Sequence, residues 1–193
     1  MTSIENKHLL ILENEMIFAD TLAVRVLDKP KLSVWMILIP IIFVHYFYRI
    51  QKFTSGRRSF AENYMIGRKR ALNEALAIVQ TGKRADIDAL VNLSTMPLEV
   101  RELNAKLLAL LVSHYADLMG SVGDNFDALI RSAYKNRTNY LLFINQLNQN
   151  EKALNTALKP HLSNHFNEIN DIIHTIEIHS EKMRRNHAES VFP

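Results

Sequence analysis

The sequence predicts an all-α protein, with a single membrane-anchor helix followed by an antiparallel helical bundle with heptad-like seams. Three observations predict it. Glycine and proline are scarce, five of each in 193 residues, too few for an architecture that needs a turn every ten positions or so. Apolar residues recur at helical spacing along most of the chain. One stretch, Leu32 to Tyr48, carries no charge at all.

Residues 1–31 hold the first element. Between Ile4 and Leu27, Leu9, Leu12, Met16, Ala19, Ala23 and Val26 recur at helical spacing, while Lys7, Glu13 and Asp20 fall elsewhere around the wheel. The pattern is that of an amphipathic helix. Such a helix can lie in a membrane interface, or pack on the bundle if both ends of the apolar stretch share one side.

Residues 32–50 form the anchor. The run LSVWMILIPIIFVHYFY is bracketed by Lys29 and Lys31 on one side and by Arg49 and Lys52 on the other. Its seventeen residues rise about 25 Å as a helix, slightly short of a hydrocarbon core of about 30 Å. Trp35, Tyr46 and Tyr48 stand where amphipathic rings settle at headgroup level. Arg49, Lys52, Arg57 and Arg58 are placed to meet anionic headgroups, and Pro40 predicts a kink at the centre.

A single crossing, a dip into one leaflet and a helix buried in a soluble core are the competing arrangements. The single crossing leads. A cleavable signal peptide is disfavoured, because the run begins far from Met1 and no small-residue cleavage site follows it. Lysine and arginine number three before the run (Arg25, Lys29, Lys31) and seven after it (Arg49, Lys52, Arg57, Arg58, Arg68, Lys69, Arg70). That asymmetry predicts a single-pass protein of a cell inner membrane, with the C-terminal bundle cytoplasmic and the N-terminus across the bilayer.

Residues 51–185 form the bundle. Phe60, Tyr64, Leu72, Leu76 and Val79 mark a helix over Arg57 to Thr81 that stops at Gly82. A short helix follows near Asp86 to Leu93. Pro97 opens the next, where its missing N–H is harmless, and Val100, Leu103, Leu107, Leu110, Leu111 and Leu118 give it an apolar face. The run MGSVGD at 119–124 is a loop, and Asp124 caps a long helix to about Leu158.

In that long helix Phe126, Ile130, Ala133, Arg137, Tyr140, Ile144, Leu147, Glu151, Leu154 and Leu158 alternate spacings of four and three, a heptad register with two polar interruptions. Arg137, on the seam, is expected to snorkel or to pair with a carboxylate such as Asp117. After Pro160 the register resumes at Leu162, Phe166, Ile169, Ile173, Ile176, Ser180 and Met183. The two helices read as an antiparallel pair, followed by a disordered tail at 186–193.

Without cysteine, disulfides, thiolate-ligated metals and thiolate nucleophiles are excluded. The sequence has no GxxxxGK[ST], GxGxxG, GxSxG or HExxH, which removes support for the common nucleotide-binding, hydrolase and zinc-protease sites. Histidines gather near the C-terminus. His161 and His165, spaced i,i+4, could reach one ion from one helical face. His174 and His179 flank the seam as solvated side chains do, and Asp171 with His174 has a di-iron spacing that occurs only once in the bundle. His45 could ligate haem only with a second chain, and His114, on a leucine-rich stripe, reads as a core histidine with a satisfied ring.

The leading expectation is a non-enzymatic, membrane-anchored helical scaffold, assembly or regulatory subunit of a partner complex. Its partners would be a bilayer with anionic headgroups and a protein, or a second copy, engaged through the helical seams. No cofactor and no nucleic acid are expected. The alternative is a membrane-bound metal- or haem-binding helical protein using His161 and His165, or His45.

Overall fold

The computed structural model describes residues 2–26, 56–94, 96–161 and 166–193. The described residues are all-α, with seven helices and no strand. The apolar run Leu32 to Tyr48, and with it Trp35, His45, Tyr46, Tyr48, Arg49 and Lys52, lies outside them. Among the described residues no helix is long and apolar enough to cross a membrane.

Helix α1 (Ile4–Val26) starts on Ser3, whose Oγ accepts from the Asn6 amide. It packs on the bundle and does not stand apart, burying Ile11, Ala19, Leu22 and Ala23. Its neighbour is α2 (Gly56–Thr81), which ends where Gly82 takes φ +70°, the left-handed turn that glycine allows at no steric cost. Gln80 donates to Glu5, His8 meets Asn73, and the rings of Phe18 and Tyr64 stack 6.1 Å apart. The two helices are therefore antiparallel, and the end of α1 lies beside the beginning of α2, with Leu22 and Ala23 clustered on Phe60.

The short α3 (Ile87–Asn92) is capped by Asp86, whose carboxylate accepts from the Ala89 amide. Helix α4 (Leu98–Gly120) begins after Pro97 and buries Val100, Leu107, Leu111 and Leu118 as its leucine stripe predicts. The long helix expected from Asp124 to Leu158 is instead two helices, α5 (Phe126–Tyr134) and α6 (Arg137–Leu158). Two asparagines account for the break. Asn125, not Asp124, caps α5, and Asn136 turns out of helix to cap α6 by accepting from the Asn139 amide at 2.9 Å. Lys135 between them sits at φ +68°.

The break takes Arg137 off the seam, and it pairs with Glu189 at 2.9 Å in an exposed position, not with Asp117. Past the break the heptad register holds, with Tyr140, Ile144, Leu147, Leu154 and Leu158 all buried.

A 3-10 turn at Lys159–His161 ends α6. Helix α7 (Phe166–Val191) runs back antiparallel to it, joined by Asn155 to Glu177, Tyr140 to His187 and Arg137 to Glu189. The predicted disordered tail is corrected here. Helix continues through residues 186–191 because Ala188 and Val191 are fully enclosed in the main core. Of the two seams, that of α6 is taken up within the chain, since Tyr140, Ile144, Leu147, Leu154 and Leu158 lie in its own core.

Candidate functional site

At the centre of the bundle two arginines and two glutamates meet. Arg68 of α2 donates from Nη1 to Glu15 of α1 at 2.8 Å and from Nη2 to Glu151 of α6 at 2.7 Å. Arg184 of α7 holds Glu151 in a two-pronged pair at 2.7 and 2.9 Å, and also donates to Asn148 and to the Tyr64 hydroxyl. Tyr115 of α4 donates to Glu15 at 2.8 Å. Two arginines and two glutamates, neutral in sum, thus join α1, α2, α4, α6 and α7. The guanidiniums also lie over rings, Arg68 4.7 Å from the centre of Tyr64 and Arg184 5.3 Å from that of Phe18.

The surroundings keep these groups ionised or neutral as the network needs. Burial opposes the charge on Glu151, but Arg184 and Arg68 outweigh it and hold the carboxyl below its usual range. Burial likewise opposes the charge on Arg68, and the Glu15 carboxylate reverses the balance and holds it well above its ordinary value. Tyr64 and Tyr115 are both pushed up, first by burial. They therefore stay protonated as hydroxyls.

Beside the network a cleft of about 270 Å³ opens between α1 and α7. Arg68, Arg184 and Glu15 line its polar wall, and Phe18, Phe143, Ile144, Leu147 and Met183 its apolar wall. Arg25 and the exposed Ile17 also line it. His187 borders it as the middle of a relay, its Nε2 2.9 Å from the Asp127 carboxylate and its Nδ1 3.1 Å from the Tyr140 hydroxyl.

His114 lies between this cleft and a more open groove of about 380 Å³ lined by α4, the end of α5 and α6. It is the satisfied core histidine that the leucine stripe predicts. Its Nδ1 is 2.6 Å from the Tyr134 hydroxyl and its ring stacks 4.0 Å from Phe143. Burial, helped by Arg68, lowers its pKa to about 3, so the ring is neutral.

The residues singled out from sequence do not gather here. Arg57 and Arg58 are exposed at the start of α2, and Arg58 pairs with Glu62 at 2.8 Å. His161 is exposed in the 3-10 turn, and His165 lies outside the described residues. Among the described residues no three histidine, aspartate or glutamate side chains are grouped to hold an ion. Arg68, counted above with the juxtamembrane basic residues, is corrected to a buried core residue. The sequence did flag Glu151 as a polar interruption of an apolar seam. It held no matching signal for Glu15 or Arg184, whose partners are remote in the chain.

No protein-family model, curated protein or solved structure matches this chain.

Proposed function

We propose that the chain is a non-enzymatic helical scaffold held against one face of an anionic bilayer, with the bundle presented to a protein partner or a second copy. The observation that carries this reading is the side-by-side packing of the end of α1 and the beginning of α2. Between those ends lie residues 27 to 55, which contain the apolar run and its bracketing lysines and arginines. A single crossing there would separate two helices that share a core. Two helical crossings need about 40 residues, and the interval has 29.

Of the arrangements the sequence offers for the run, this reading takes the one-leaflet dip, which returns to the face it left, over the single crossing. Arg25, Arg57 and Arg58 adjoin the same end of the bundle, where positive side chains meet anionic headgroups at about 1 kcal/mol each.

The chain lacks cysteine, so single cysteines can be introduced at the exposed positions Glu13 and Lys152 and probed with an impermeant maleimide in sealed vesicles. Both Glu13→Cys and Lys152→Cys are expected to react from the same side, and the protein to float with anionic vesicles after a carbonate wash. Reaction from opposite sides, or a chain that stays behind when the vesicles float, would overturn the reading.

A further inference from the structure

We infer that the cleft between α1 and α7 binds a small amphipathic anion, a carboxylate joined to a compact apolar or aromatic body. At about 270 Å³ it has room for roughly nine waters' share of liquid volume, just under the range of about 300 Å³ and above that drug-sized ligands occupy. The size selects a compact guest.

The charge selects its sign. Arg25, Arg68 and Arg184 line the cleft against a single carboxylate, Glu15. Glu15 and Glu151 offset Arg68 and Arg184, so the charge left over at the cleft is the positive one of Arg25. The hydrogen bonds by which Arg68 and Arg184 hold the two glutamates, Asn148 and Tyr64 are all drawn from their Nη groups, so those bonds leave each Nε uncommitted. The network therefore acts as a support. It holds two guanidiniums still while donor capacity remains, the preorganisation that spares a binding site its ordering cost.

The opposite wall selects the body. Phe18, Ile144, Leu147 and Met183 bring apolar surface against those cations, and a charge attracts an anion more strongly where water is displaced. At the mouth, Ile17 is 58% exposed, and an amphiphile seated in the cleft would cover it. Arg25 serves both readings, but the cleft is tested on a bilayer without net charge, so either reading can fail while the other stands.

The test uses the full chain in nanodiscs of zwitterionic phosphatidylcholine, which has no net charge, titrated with 4-phenylbutanoate and, separately, with the neutral 4-phenylbutanol. Saturable one-to-one binding of the carboxylate is expected, roughly tenfold tighter than that of the alcohol. Thr21→Trp, which fills the mouth, should abolish it. Arg25→Glu, at an exposed position, should weaken it about tenfold with the melting temperature unchanged. Absence of saturable binding, equal binding of the alcohol, or affinity untouched by Arg25→Glu would overturn the assignment.

Discussion

Glu151 accepts from two arginines at once, so the loss of its charge is felt twice. Glu151→Gln leaves Arg68 with Glu15 and Arg184 with neutral partners only, and breaking a buried pair in this way costs about 3 to 5 kcal/mol. Arg58→Ala, which removes an exposed i,i+4 pair, should cost under about 0.5 kcal/mol. Urea denaturation of the two variants measures the contrast. Acid acts on the same groups. Because Glu151 is held below its usual range when folded, the unfolded chain takes up its proton first. The stability Glu151 supplies is present above the unfolded value and is lost as pH falls through the folded one.

His114 gives a second and earlier acid limb. Its folded value of about 3 lies below the ordinary 6.5, so below pH 6.5 the unfolded state binds the extra proton. Stability should then fall by up to about 1.4 kcal/mol per pH unit between 6.5 and 3. Denaturation midpoints measured across that window should show the slope in the wild type and a flatter one in His114→Gln. An equal slope in both would refute the assignment.

At the scale of elements, most of the helices were legible because their signals are local. Pro97, Gly82 and Asp86 each act within a turn of their own position, and the leucine stripe of α4 requires no knowledge of the rest of the fold. The break between α5 and α6 was missed because the apolar spacing runs through it unchanged while the capping preference of Asn136 overrides it. Its cost is concentrated at Lys135, a branched-free but Cβ-bearing residue at φ +68°. Lys135→Gly should therefore stabilise the protein by about 1 kcal/mol, and Asn136→Ala should destabilise it by about the same amount. Gly123 is the opposite case. A Cβ there would meet the Leu129 amide nitrogen at 2.8 Å, and Gly123→Ala should cost about 1 to 3 kcal/mol. Thermal melts of the three variants would rank them.

For the whole molecule, periodicity showed that helices exist but not how they meet. Nothing local in Glu15, Arg68 or Arg184 distinguishes them from solvated charges. Only the assembled bundle brings residues 15, 68, 151 and 184 together, and it is also what turned a basic residue assigned to the membrane surface into a core residue. The same packing makes α1 indispensable. Deleting residues 2–26 removes Glu15 from both Arg68 and Tyr115 and strips Ile11 and Leu22 from their clusters. The shortened chain should lose its cooperative melt by circular dichroism. A truncated protein that still melts sharply would show that the first helix is an accessory.

The pairing of Arg184 with Glu151 also sets a timetable for biogenesis. A nascent chain exposes its first helix and its apolar run long before residue 184 has been joined, so Glu151 must wait, ionised and half-satisfied, for the last helix. Premature termination upstream of that arginine yields a species in which two glutamates, Glu15 and Glu151, share Arg68 alone, and which is open to proteolysis. The central network is therefore complete only once α7 has been made.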